Sequence, residues 1–300
     1  MQVRAKRPQG LHSDVRGADE TTPASDSNPR KRRRWYSRSF TIAALASALA
    51  VSAVFVVTPA SGAAGDLASF ARAVRQLGST SRNALAFSGT PAVGALFATS
   101  AGKLSQHFCS ASVINSPHGD LVLTAAHCVT GTSGTVVFVP GYNDGSTPYG
   151  VWTVNKVYTD KAWRTSRNVD DDVAILQVSQ RGSAVPIENV TGAEQLATTS
   201  PTTRTLVQVI GYPDSSNQPI TCRNWLKTPM TDQLEFDCGG YTDGTSGGPF
   251  LTGVSSTTGQ GTVVGVIGGY EQGGDTPQVS YSSAFGANVA ALYKAAVAGG

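Results

Sequence analysis

Asp243-Gly244-Thr245-Ser246-Gly247-Gly248-Pro249, followed by the apolar pair Phe250-Leu251, is the stretch on which the reading of this chain turns. A serine between glycines in a tight loop suits a nucleophile. Glycine takes positive φ cheaply, which presents the hydroxyl and turns neighbouring N–H groups toward one point. On its own the string reads as a turn, because Gly-, Ser- and Thr-rich segments are common there. Two segments upstream change its weight: Leu123-Thr124-Ala125-Ala126-His127-Cys128 and Asp172-Val173-Ala174-Ile175-Leu176. A serine hydroxyl needs a neutral imidazole to take its proton, and the imidazole needs a buried carboxylate to hold its tautomer. His127 and Asp172 are the matching residue types. Asp172 closes the run Asp170-Asp171-Asp172, which otherwise reads as a solvated or calcium-attracting loop. It directly precedes a continuous apolar strand and is therefore the carboxylate expected to turn inward.

In these three segments, and in their His–Asp–Ser order, the chain resembles the chymotrypsin/trypsin-like serine peptidases, in particular their secreted bacterial members. The resemblance implies His127 as general base, Asp172 as the acid that orients it, and Ser246 as nucleophile, with the N–H groups of Gly244 and Ser246 as the oxyanion hole. It implies an all-β fold of two antiparallel barrels with a C-terminal helix, and a secreted endopeptidase acting through an acyl-enzyme. Polypeptide substrates would lie in the cleft between the barrels and add a strand to an exposed edge, here Gly268, Gly269 and Tyr270. The primary pocket would fall near Gly240 and Tyr241. No cofactor, metal or nucleic acid is expected, and the enzyme is expected to be monomeric.

The chain departs from that family at four positions. Thr245 stands where trypsin-like zymogens carry the Asp that receives the freed N-terminus, so activation is expected not to depend on a buried ammonium. A non-acidic residue there also occurs in glutamyl-endopeptidase-like relatives, which the chain partly resembles. Gly268 replaces a serine that supports the triad Asp. Gly240 stands where a trypsin has the acid of its primary pocket, and Ile267 where Glu-specific relatives have a histidine. The expected primary specificity is therefore a neutral or apolar side chain rather than Arg or Lys, with Tyr241, Tyr270 and Asp243 tuning the pocket. A catalytically silent, protease-shaped binding protein is the alternative from another class.

Composition agrees with an exported β-rich protein. The 300 residues include 33 glycines and 15 prolines, and only 14% are charged, against about a quarter in typical domains. Residues 1–39 hold ten Lys/Arg against four Asp/Glu, a balance of +6; the rest hold 13 against 16, or −3. The basic character thus belongs to the leader and does not argue for nucleic-acid binding. Arg30-Lys31-Arg32-Arg33-Arg34, the apolar run Phe40 to Val57, and Thr58-Pro59-Ala60-Ser61-Gly62-Ala63-Ala64 have the order of an export signal. Cleavage after Gly62 or Ala64 fits the small-residue rule. An apolar run of about 18 residues also suits an uncleaved membrane anchor, which stays open as an alternative.

Four cysteines in an exported chain point to two disulfides among three possible pairings. The family resemblance selects Cys109–Cys128, flanking the histidine segment, and Cys222–Cys238. The first would contribute about 3 kcal/mol through loop entropy. Cys-x-x-Cys spacing is absent, and His12, His107, His118 and His127 show no ligand spacing, so a metal hydrolase is disfavoured.

Punctuation by Gly, Pro, Asn and Asp divides the rest. Residues 1–62 form the basic tail and export signal, and 63–88 a short zymogen propeptide or an N-terminal extension. Residues 89–190 form the first barrel, and 191–300 the second barrel with the helix. Short apolar runs at 92–99, 110–114, 121–124, 135–139, 151–158 and 173–178 read as strands of one set. Runs at 206–210, 234–236, 249–252 and 262–268 form another, with 181–201 crossing between them. Residues 284–298 carry apolar positions at helical spacing.

Overall fold

The computed structural model describes residues 80–299 apart from 101, 133, 202 and 203. The basic tail, the segment expected to be an export signal and most of the 63–88 segment lie outside the described residues. Among the described residues no helix is long and apolar enough to cross a membrane.

Six strands close the first barrel: β2 (Val93–Ser100), β3 (Lys103–Ile114), β4 (Leu121–Thr124), β5 (Thr135–Pro140), β6 (Trp152–Thr159) and β7 (Ala174–Ser179), in the order β2-β3-β4-β7-β6-β5. All pairings are antiparallel. Leu96, Val113, Phe138, Trp152 and Leu176 meet in its interior. Each such side chain contributes roughly 1.5–3 kcal/mol on leaving water.

The second half is an eight-stranded sheet. Its path runs β14 (Val279–Ser283), β11 (Gln233–Asp237), β10 (Ile220–Met230), β9 (Leu206–Gly211), β12 (Pro249–Thr252), β13 (Thr262–Val266) and β8 (Gln195–Leu196), and β1 (Leu85–Ala86) joins β10 at the side. The sheet curls. Beyond β13 the Gly268 N–H donates to the Tyr281 carbonyl at 3.0 Å, and the Val266 N–H donates to Ser282 Oγ at 2.9 Å. Strand β14 is thereby brought back to the far edge. Val207, Leu234, Phe236 and Phe250 fill this interior.

A third apolar cluster joins the halves, with Leu123 and Ile175 from the first, Ile210 and Leu251 from the second. Among the described residues there are also four short or terminal helices: α1 (Ala126–Val129), α2 (Lys161–Ser166), α3 (Glu188–Thr191) and α4 (Ala287–Ala298). Helix α4 buries Val289, Leu292 and Ala296 in the joining cluster. The two disulfides are Cys109–Cys128 and Cys222–Cys238, as the family resemblance implies.

Candidate active site

His127 sits in the single turn α1, directly after β4. The Cys109–Cys128 disulfide ties that turn back to β3. Asp172 ends the 3-10 turn Val169–Asp171 and opens β7, where β4 and β7 are neighbours. Adjacent strands therefore deliver the two residues to one end of the barrel.

Their contact is close. His127 Nδ1 lies 2.7 Å from Asp172 Oδ2, and the His127 backbone N–H donates to Oδ1 at 2.8 Å. The Asp172 side chain is 0% exposed and that of His127 15%. Because the carboxylate only accepts, Nδ1 carries the proton and Nε2 is left as an acceptor. A buried carboxylate needs such donors to stay charged. It receives a third from the Gly269 N–H, at 2.9 Å to Oδ2. The serine missing at Gly268 is thus replaced by the backbone of the next residue. A Cβ on Gly268 would press within 3.1 Å of both Asp172 Oδ2 and Ala125.

Asp170 and Asp171 have other work. Asp170 Oδ1 accepts from Gln233 Nε2 at 2.7 Å, and Asp171 accepts from Asn168 at 2.7 Å and Asn288 at 3.0 Å. These amides turn the acidic run into a hydrogen-bonded clamp.

The loop 243–249 contacts both halves, Ser110 of the first and Asp214 and Ile267 of the second. Gly244 has φ +88°, and a Cβ there would meet Asp214 N at 2.5 Å. Gly247 has φ +80°, and a Cβ would overlap Thr124 and the Ser110 carbonyl. Glycine is required at both for conformation and for space. Ser110 of β3 pins the loop from below. Its N–H donates to the Ser246 carbonyl at 2.7 Å and its hydroxyl to the Gly244 carbonyl at 3.0 Å, while it accepts the Tyr212 N–H at 2.8 Å. Thr245 is buried, and its hydroxyl donates to the Thr242 carbonyl at 2.6 Å. The N–H groups of Thr245 and Gly247 go to Thr242 and Ile267. Among the described residues those of Gly244 and Ser246 have no protein acceptor, and Ser246 Oγ makes no hydrogen bond to His127.

His127 and Ser246 line one cleft of about 970 Å³. Of the five positions expected to receive substrate, Tyr241 lines it, with its hydroxyl spent on the Val209 carbonyl at 2.8 Å. Burial pushes that phenol well above its ordinary range, so it stays neutral. The other four do not line it. Gly268 and Gly269 are buried beside Asp172, Gly240 lies against Ala84, and Tyr270 is exposed and edge-on to Tyr281. Asp243, Glu271, Asp275 and Pro277 do line the cleft. Sequence reading missed the 271–277 wall, Ser110 and the Gly269 N–H. A polar loop, a strand serine and a backbone group carry no motif.

A family model described as trypsin matches residues 82–285, more than half of the chain. The chain belongs to the trypsin family of serine proteases. It is 34% identical to trypsin theta of Drosophila erecta over 139 residues, 45% of this chain and 47% of that protein. The chain thus spans about half the length of the curated relatives it matches. Among solved structures it resembles the protease Anisep of Arthrobacter nicotinovorans, with TM-score 0.59 and 23% identity over 71% of this chain and 98% of that one. It equally resembles the thermostable serine protease AL20 of an extremophilic microorganism, with TM-score 0.60 and 23% identity over 70% and 99%.

Proposed function

We propose that this protein is an exported serine endopeptidase in which His127, Asp172 and Ser246 form the catalytic triad. The observation that carries the proposal is one cleft holding three things: an imidazole fixed by a buried carboxylate at 2.7 Å, a serine, and beside that serine two unspent N–H groups. In the reaction His127 Nε2 takes the Ser246 proton as Oγ attacks the substrate carbonyl. The Gly244 and Ser246 N–H groups receive the developing oxyanion. The imidazolium returns its proton to the leaving amine as the C–N bond breaks, and water then hydrolyses the acyl-enzyme by the same path in reverse.

The test is labelling with a serine-directed phosphonofluoridate. Wild type should react and Ser246→Ala should not, and the variant should lose several powers of ten in turnover. Equal labelling of both would sink the nucleophile assignment, and a wild type that never labels would favour a silent, protease-shaped binding protein.

The proposed primary specificity is for neutral or apolar side chains, supported by the neutral Tyr241 ring in the cleft. One observation favours a second reading: Asp243, Glu271 and Asp275 line the same cleft and are exposed, which suits a cationic substrate group. Comparing kcat/KM for matched Leu and Arg amides separates the two, and much faster Arg cleavage would overturn the first. Export rests on the leader sequence, with a membrane-anchored form as the alternative. N-terminal sequencing of released material distinguishes cleavage from anchoring.

A further inference from the structure

Residues 81–87, Ser81-Arg82-Asn83-Ala84-Leu85-Ala86-Phe87, run along the second sheet. The Ser81 N–H donates to the Arg223 carbonyl at 2.9 Å, and the Phe87 N–H to the Pro219 carbonyl at 3.1 Å. Between them β1 pairs with β10, Leu85 opposite Thr221 and Ala86 opposite Ile220. The same segment reaches a second element. The Ala84 N–H donates to the Gly239 carbonyl at 2.7 Å, and the Gly239 N–H returns to the Arg82 carbonyl at 2.8 Å.

Gly239 is the middle ply of a wall. On its other side the Cys238 N–H donates to the Gln278 carbonyl at 2.9 Å, and the Gly240 and Tyr241 N–H groups donate to the Pro277 carbonyl at 2.8 and 3.2 Å. Tyr241 and Pro277 both line the cleft, and Ser246 follows Tyr241 in the same loop. The centre of this wall is Gly239-Gly240, with Gly240 at φ +108°. Two adjacent glycines have little stiffness of their own. Their bareness also makes room for the segment beside them, since a Cβ on Gly239 would come 2.5 Å from Asn83 Oδ1 and one on Gly240 3.4 Å from the Ala84 Cβ. Thr245, whose hydroxyl is already bound to Thr242, offers no charge to an incoming ammonium.

We propose that residues 81–87 are a positioning strap. They remain with the active enzyme as an edge strand and hold the Cys238–Tyr241 wall, and through it the Ser246 loop, in working geometry. Maturation therefore removes chain only upstream of Ser81. The strap acts through backbone pairing, where trypsin-like zymogens use an ammonium–carboxylate pair. The inference rests on Ser246 being the nucleophile.

The test uses the full chain, expressed with secretion, in wild-type, Ala84→Pro and Ala84→Ser forms. Proline deletes the N–H that reaches Gly239, and serine keeps it. Ala84→Pro should react with the phosphonofluoridate at least tenfold more slowly and lose kcat more than it raises KM, at a melting temperature near wild type. Ala84→Ser should react at the wild-type rate. N-terminal sequencing of the active wild type should find Ser81 retained. The strap is overturned if Ala84→Pro reacts at the wild-type rate, if the serine variant slows equally, or if the active enzyme begins after Phe87. Should Ala84→Pro not fold, the sequenced N-terminus decides. A wild type that does not label would instead refute the nucleophile, so the two failures are distinct.

Discussion

Thr245 carries no charge at the position where the family resemblance places an Asp. Its side chain is buried against Gly211 and satisfied by one carbonyl, which a carboxylate could not use as a partner. A neutral, self-contained side chain there removes the need for a buried countercharge. Glu194 has the opposite character. It is fully buried on the crossing segment, with Oε2 accepting the Gly261 N–H at 2.5 Å and Oε1 without a partner among the described residues. Burial pushes its carboxyl up to about 7, against the Gly261 N–H, which pulls it down. Below about pH 4.5 the group is protonated in both folded and unfolded chains and costs nothing. As pH rises from there to about 7 the unfolded chain releases the proton and the folded one keeps it, so stability falls. Above that window the penalty is constant, on the order of 3 kcal/mol. Glu194→Gln should therefore stabilise the protein more at pH 8 than at pH 5 in denaturant titrations. A difference that does not change with pH would refute this account.

At the scale of elements, legibility followed burial pattern. The apolar runs read as strands at 121–124, 206–210 and 249–252 match β4, β9 and β12 within a residue, because each is nearly all buried. Strand β10 was not legible. It carries Arg223, Asn224, Lys227, Thr228 and Pro229, much of it exposed, and is held by pairing with β9 and β11 rather than by its own apolar content. The same holds for serine-rich β14 and for two-residue β1 and β8. Helix α4 was legible from its periodicity, but its second task was not. Asn288, in its first turn, donates to the Asp170 carbonyl at 3.2 Å and to Asp171 Oδ1 at 3.0 Å, clamping the loop that carries Asp172. Asn288→Ala should cost about 1–2 kcal/mol in unfolding free energy, the usual value of such bonds. It should also slow turnover through a less constrained Asp172. An unchanged denaturation midpoint would show the clamp to be idle.

For the molecule as a whole, residues far apart in sequence converge because two curled sheets share one apolar seam. His127 and Asp172 arrive from neighbouring strands of the first barrel, and Ser246 from a loop that Ser110 holds against that barrel. The sequence by itself determined the chemistry-bearing residue types, their order and the β-rich class, because motif glycines, apolar runs and cysteines are local signals. Family resemblance, rather than spacing, selected the disulfide pairing. Only the tertiary structure decided what surrounds those residues. The Gly269 N–H on Asp172, the Ser110 pins, the 271–277 wall and the strap at 81–87 are contacts made by backbone groups or ordinary polar side chains. Any residue offers a backbone N–H, so where that N–H points is a property of the folded chain alone.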